Sequence, residues 1–139
     1  MTRRTLFSII PLSVFFLSTA CAPDKPRALV VADGSGTVHQ VAVDARVKNY
    51  QGRTGRQVRI LPVEPAQAIL LASRGEADVA VVPMDVSIDT FLAAEHGRVA
   101  GQLQNGGDRL RILEVSAKQH PKVDEKGAKS LAAALITPP

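Results

Sequence analysis

Short apolar blocks alternate with longer segments of mixed polarity from residue 28 to the end of the chain. A continuous apolar run, as expected of a strand buried on both faces, predicts a strand at 28–32, and further apolar-rich blocks predict strands at 57–63, 77–82 and 109–115. Between them, recurrent apolar positions bounded by Gly or Pro predict helices at 38–53, 65–73, 88–96 and 128–137. This alternation predicts an α/β fold, with a mostly parallel sheet of about four strands and helices on both faces.

The first 20 residues have the layout of a secretory signal peptide. Arg3 and Arg4 precede an apolar run at 6–17, which is shorter than the roughly 20 residues that a membrane-spanning helix needs. Residues 17–21 read LSTAC, which resembles the bacterial lipobox at which signal peptidase II cuts before a cysteine. The resemblance implies that Cys21, the sole cysteine of the sequence, carries lipid. An ordinary cleaved signal followed by an accidental cysteine is the alternative.

Cleavage before Cys21 would leave a lipidated tether at 21–27 and a single domain at 28–139. We expect the protein to be anchored by lipid in the cell envelope and to face the periplasm. Ala22, rather than an aspartate, follows the cysteine, which favours the outer over the inner membrane in a Gram-negative cell. Loss of Arg3 and Arg4 lowers the formal charge from +4 to +2. No basic stripe then remains, so nucleic-acid binding is not expected.

Several motifs follow one another in the order and spacing of a known family. They are TG and VRI within 54–60, QAIL at 67–70, RGEADV at 74–79, FLAAEHG at 91–97, SAKQHPKV at 116–123 and the helical segment 128–137. With these motifs, residues 28–139 resemble the type-2 periplasmic solute-binding proteins, nearest to the tungstate- and molybdate-binding components of ABC importers. Members of that family have two lobes. Here only a predicted turn at 102–108 stands between the blocks that would flank the second lobe, so we expect one lobe.

The resemblance implies a ligand site beyond the carboxyl ends of the first two strands, where open α/β sheets bind their ligands. In the family, hydroxyl groups after the first strand and backbone N–H groups at helix starts hold an oxyanion, as the helix dipole favours. The corresponding positions here are Gly34, Ser35, Gly36, Thr37, Ala66 and Gln67. Asp33 and Glu64 add negative charge beside them, and Pro65 has no N–H to donate, which opposes a doubly charged anion.

Other chemistry has less support in the sequence. Ser35 and His39 lack the spacing of a nucleophile elbow, and no acid, base and nucleophile converge, so we expect no enzyme activity. Asp33 and Glu64 could share a hard cation such as Ca²⁺, although such acids are more commonly solvated loop residues or helix caps. No cofactor and no metal site is predicted. In particular, no zinc spacing relates the three histidines, which are His39, His96 and His120.

Two functional hypotheses follow from the sequence. In the first, the protein is a solute-binding lipoprotein for a small oxyanion, with an ABC permease or a homodimer partner, and a second copy of the chain supplies the missing side of the site. In the second, the lobe is a degenerate binding domain that acts as a non-transporting interaction module of the cell envelope. A measurable affinity for a ligand would favour the first hypothesis, and an apolar surface that contacts a partner would favour the second.

Overall fold

The computed structural model describes residues 26–138. The predicted signal peptide, Cys21 and the predicted tether up to residue 25 lie outside the described residues. Among the helices of 26–138, none is both long enough and apolar enough to cross a membrane. In chain order the elements are β1 (Leu29–Asp33), α1 (Thr37–Thr54), β2 (Val58–Pro62), α2 (Pro65–Ser73), β3 (Val79–Pro83), α3 (Asp89–Ala93), β4 (Gly97–Asn105), β5 (Asp108–Val115) and α4 (Glu125–Ile136).

The five strands found within residues 26–138 form one mixed sheet in the order β2-β1-β3-β5-β4. β1 pairs in parallel with both β2 and β3, whereas β5 pairs antiparallel with both β3 and β4. The helices α1 and α2 connect these parallel strands in opposite directions, so right-handed crossovers place them on opposite faces of the sheet. The predicted α/β fold is confirmed, and the carboxyl ends of β1, β2 and β3 share one edge.

The sheet has one strand more than the sequence predicts. The strand β4 shows no apolar run, because Leu103 is its one fully buried residue and Arg98, Gln102 and Gln104 are exposed at the sheet edge. The segment 102–108, predicted as a turn, is the tip of a hairpin in which β4 and β5 remain paired as far as Asn105 and Asp108. This hairpin lies where the resemblance places a second lobe.

A buried arginine fastens the C-terminal helix to the rest of the domain. Arg46 of α1 is 9% exposed, and its guanidinium donates to the carbonyl oxygens of Leu135 at 2.9 Å, Thr137 at 2.7 Å and Gln104 at 3.2 Å. The last carbonyls of a helix have no partner within the helix itself. Arg46 therefore supplies donors to the end of α4 and joins α1, α4 and β4.

The ends of two helices differ from their predicted positions. The helix α4 begins before residue 128 because the Asp124 side chain accepts a hydrogen bond from the Gly127 N–H at 2.9 Å and caps it. The helix α3 ends at Ala93, before the predicted 96. Glu95 follows with φ 57°, a left-handed conformation that an α-helix does not continue through.

An ion pair holds the first described residues against the domain. The Arg27 guanidinium donates to both carboxylate oxygens of Asp78, at 3.0 and 2.6 Å, and the Asp78 side chain is 1% exposed. The same carboxylate accepts hydrogen bonds from the Val30 and Asp124 N–H groups. The predicted tether, which includes residue 27, is thus fixed to the domain at its last residue, beside the amino end of β1.

Candidate functional site

A close approach between backbone segments shapes the carboxyl end of β1. The Gly34 N–H donates to the Val81 carbonyl oxygen at 2.8 Å, so the chain after β1 stays joined to β3. A Cβ at position 34 would lie 2.9 Å from the Pro65 Cα and 3.1 Å from the Val81 oxygen. Only glycine fits this distance. The turn at 33–37 is therefore held directly against the start of α2.

Two helices begin at this edge without a side-chain cap. Gly36, with φ 86°, is the N-cap of α1, and Glu64 is the N-cap of α2; neither cap position makes a side-chain hydrogen bond to its helix. The first N–H groups of an α-helix have no acceptor within the helix. The amides of Thr37 and Gln67 are among these, whereas Pro65 at the first position of α2 has no N–H. Both helix starts thus present donors and a partial positive charge.

These two helix starts open on one groove of about 740 Å³. We call it the strand-end groove, and its walls are Asp33, Gly34, Ser35, Gly36, Thr37, Gln40, Pro62, Val63, Glu64, Pro65, Gln67 and Pro83. The structure thus brings together five of the six positions that the sequence predicts for ligand binding. The sixth, Ala66, is exposed on α2 but does not line the groove.

The buried carboxylate of Asp33 is the chemically most distinctive group of this groove. Asp33 is 3% exposed, and its Oδ1 accepts hydrogen bonds from both the N–H and the hydroxyl of Ser35. Its Oδ2 is buried and has no hydrogen-bond partner among the described residues. The Ser35 hydroxyl thus donates a hydrogen bond to Asp33. The arrangement leaves one acceptor of a groove-lining side chain unused.

The charges around the groove sum to a negative value. Asp33 lies inside it and Glu64, which is exposed, lies at its rim. Each helix N-terminus contributes about half a positive charge, so two of them balance about one of the two carboxylates. Within the described residues, 26–138, no Lys, Arg or His lines the groove. The groove therefore offers both donors and acceptors, with an excess of negative charge.

Ser35 and His39 have different hydrogen-bond partners, although both line the groove next to the strand-end groove. The Nδ1 of His39 lies 2.9 Å from the Asn105 amide nitrogen, and its Nε2 lies 3.3 Å from the Asp108 carboxylate. The Ser35 hydroxyl instead contacts Asp33. His39 therefore contacts the β4–β5 hairpin and is not placed to accept the serine proton.

Acidic residues continue beyond the strand-end groove on the same edge of the sheet. A second groove of about 560 Å³ adjoins the first at Ser35 and Pro83, and Asp85 and Asp108 also line it. Across the described part of the chain, however, no three His, Cys, Asp or Glu side chains come close enough together to hold a metal ion. A cation shared by Asp33 and Glu64, which the sequence allows, would therefore have at most two carboxylate ligands from the described residues.

A pair of histidines meets at the opposite edge, where sequence reasoning found no site. His96 Nδ1 lies 3.0 Å from His120 Nε2, and the two rings stack with their centroids 5.1 Å apart. Burial, and to a lesser extent the nearby His96, lowers the pKa of His120 from its ordinary value. The two residues are 24 positions apart, in loops that meet only in the folded protein, so the sequence contains no spacing that could have revealed the pair.

Comparison with known proteins gives a fold and no family. No protein-family model matches the chain, and no curated protein matches its sequence. Among solved structures it is similar to a conserved protein of unknown function from Vibrio parahaemolyticus, with a TM-score of 0.67 and 10% identity over 81% of this chain and 95% of that one.

Two binding proteins also show a distant similarity. For the tungstate-binding protein TupA from Desulfovibrio alaskensis, the TM-score is 0.45 at 19% identity, over 55% of this chain and 30% of TupA. For a cyclo/maltodextrin-binding protein in complex with maltotetraose, it is 0.34 at 18% identity, over 62% of this chain and 28% of that protein. The likeness is to one lobe of each and concerns the fold alone.

Proposed function

We propose that this protein is a solute-binding lipoprotein of the cell envelope, built from one lobe and anchored through Cys21. The observation that carries the proposal is the convergence of two uncapped helix N-termini on a groove lined by a side chain with an unused carboxylate oxygen. Buried polar atoms without a partner are rare in folded proteins, and a bound water, ion or ligand commonly satisfies them. A small bound solute would supply that partner.

The resemblance to tungstate- and molybdate-binding proteins suggests a small oxyanion as the solute. The helix N-termini support this choice, since they bind anions in many proteins. The carboxylates of Asp33 and Glu64 count against a dianion, because each would repel it by about 1 kcal/mol or more when partly desolvated. The support for solute binding is therefore stronger than the support for tungstate or molybdate in particular.

One lobe encloses a ligand on one side only, so the proposal includes a second surface that covers the groove. Val38 and Val41, on the first turns of α1 next to the groove, are 78% and 75% exposed. Covering a valine side chain stabilises an interface by about 1.5 kcal/mol or more. A second copy of the chain or an ABC permease that contacts these valines would also close the groove.

The same exposed valines favour the alternative, in which the lobe is an interaction module and no solute is bound. In that case the surface around Val38 and Val41 is the functional site, and the groove is a remnant. The two functions differ in what a variant of the groove does. Filling the groove abolishes solute binding but leaves a partner that contacts the valines in place.

The test is a thermal-shift screen of the full-length protein purified in detergent. The panel contains tungstate, molybdate, sulfate, phosphate, amino acids and divalent cations. We expect a saturable rise in Tm with one class of solute, and loss of that rise in Gln67→Trp, which fills the groove from an exposed position. Ala66→Trp, one residue earlier and outside the groove, is the matched control and keeps the response. A flat response to every solute would refute solute binding.

A further inference from the structure

The strand-end groove combines groups that no simple anion or simple cation can satisfy together. We propose that its ligand is a small zwitterion, which places an acidic group at the N-termini of α1 and α2 and an ammonium group against Asp33 and Glu64. This inference rests on the proposed function, since it names the class of solute for the same groove.

The ammonium end follows from the unused oxygen of Asp33. The Oδ2 atom is buried, has no partner among the described residues, and belongs to a side chain that lines the groove. A buried acceptor without a hydrogen bond costs about 1–3 kcal/mol. A ligand relieves that cost only by donating an N–H or O–H group. Tungstate, molybdate and sulfate, as the dianions, have no hydrogen to donate.

The acidic end follows from the donors that face the same groove. The starts of α1 and α2 lack side-chain caps, so the first N–H groups of Thr37 and Gln67 remain available to a ligand. An anionic group on the ligand is favoured there by the positive ends of both helix dipoles. A plain amine would leave these donors unused, which is why a cation alone fits less well.

The balance of charge disfavours a ligand that carries a net negative charge. Two carboxylates against two half-positive helix ends leave an excess of about one negative charge. A dianion such as hydrogen phosphate, although it can donate one hydrogen bond, meets this excess with its full charge. A zwitterion has no net charge, and its ammonium group lies toward the carboxylates. A metal ion is disfavoured because, within 26–138, no third acidic or histidine ligand joins the pair.

The experiment is a titration followed by ¹⁵N–¹H NMR, with glycine as the probe. Four comparison solutes, which we call the fragments, each lack one feature of glycine. Acetate lacks the ammonium, methylamine lacks the acidic group, glycine betaine has no N–H on its nitrogen, and sulfate is a dianion. We expect glycine to shift the amides of Gly36, Thr37 and Gln67 with saturation in the millimolar range, because one open lobe encloses little of the ligand. Each fragment should bind more weakly than glycine by about tenfold or more, since each lacks one charged hydrogen bond.

Variants locate the two ends of the ligand. Asp33→Asn and Glu64→Gln should each weaken glycine binding, by about tenfold or more for the buried group and less for the exposed one. Glu76→Gln removes an exposed carboxylate beyond the far end of α2 and should leave the affinity unchanged. If Asp33→Asn does not fold, Glu64→Gln and the fragment series on the unaltered protein still decide the matter, because Glu64 is exposed.

The outcomes distinguish the two proposals. Binding of sulfate, phosphate or tungstate that becomes tighter in Asp33→Asn would overturn the zwitterion while leaving solute binding in place. Acetate or methylamine that binds as tightly as glycine would also overturn it, since one end would then go unrecognised. Amides that respond to none of these probes, together with a flat thermal-shift screen, would overturn solute binding itself.

Discussion

His120 Nε2 lies 3.0 Å from His96 Nδ1, in a contact that needs a proton on one ring nitrogen and a lone pair on the other. The pair has one bridging proton when both rings are neutral. Protonation of both rings would place two donors face to face and two positive charges within one stacked pair. The contact is therefore compatible with at most one charged ring.

The first prediction concerns the pH dependence of stability. Because burial and His96 lower the pKa of His120 in the folded protein, the unfolded chain binds this proton more readily. The contribution of His120 to stability is thus full above its ordinary pKa and is lost as pH falls through that value toward the lowered folded pKa. Urea unfolding at about pH 7.5 and about pH 5.5 should show a smaller loss of stability in His120→Gln than in the unaltered protein.

A partner variant separates the two causes of this shift. His96→Gln keeps a polar side chain beside His120 but removes the second positive charge, so part of the pH dependence should persist because burial is the larger cause. An unchanged loss of stability at low pH in His120→Gln would contradict the assignment.

The second prediction concerns the close approach at Gly34. Gly34→Ala should destabilise the protein by about 1–3 kcal/mol, because the added Cβ meets the backbone of Pro65 and Val81 and neither can move freely. Gly52→Ala, within α1, is the control. No atom of the described part of the chain lies within 4 Å of a Cβ there, so this change should stabilise the helix by about 0.4–1 kcal/mol. Chemical denaturation measures both, and equal effects would refute the packing argument.

The third prediction concerns the buried guanidinium of Arg46. Arg46→Met keeps much of the side-chain volume but removes all donors to Leu135, Thr137 and Gln104, and we expect a loss of about 2–3 kcal/mol. Arg53→Met, on the exposed side of the same helix, should change stability by less than about 0.5 kcal/mol. Hydrogen exchange should show faster opening of α4 in the first variant and not in the second.

The fourth prediction compares the two sides of the ion pair at the domain entry. Asp78→Asn should cost more than Arg27→Ala, because the Asp78 carboxylate is 1% exposed and accepts four hydrogen bonds, whereas the Arg27 side chain is 45% exposed. We expect about 2–3 kcal/mol for the first and about 1 kcal/mol or less for the second. Denaturant midpoints with the order reversed would be inconsistent with this contact.

The sequence predicts the parallel part of the sheet and misses its far edge for a physical reason. Residues 79–82 are all fully buried, so the third strand appears as a continuous apolar run. The strand β4 is an edge strand, and its exposed polar residues leave no such run. The pairing of β4 with β5 is set by the hairpin and by the packing of α4, which no local pattern encodes.

The predicted site is right in position and incomplete in chemistry. Turn glycines and helix starts mark Gly34 and Gly36 in the sequence, and the structure brings both to the strand-end groove. The engagement of Ser35 by Asp33 is not visible from spacing, nor is the burial that leaves the Asp33 Oδ2 without a partner. Both depend on how the turn packs against β3 and α2, and so on contacts between distant segments.

The ion pair between Arg27 and Asp78 also determines which end of the domain lies nearest to the predicted lipid anchor. It holds the chain at the amino end of β1, while the strand-end groove opens past the carboxyl end, about 17 Å away along a five-residue strand. Five residues lie between Cys21 and Arg27, and the segment from one to the other reaches roughly 20 Å when extended. With lipid on Cys21, the amino end of β1 would lie nearest the bilayer and the strand-end groove would face away from it. A solute would then enter the groove from the surrounding solution. Its delivery to a permease in the same membrane would require the whole domain to reorient or to detach.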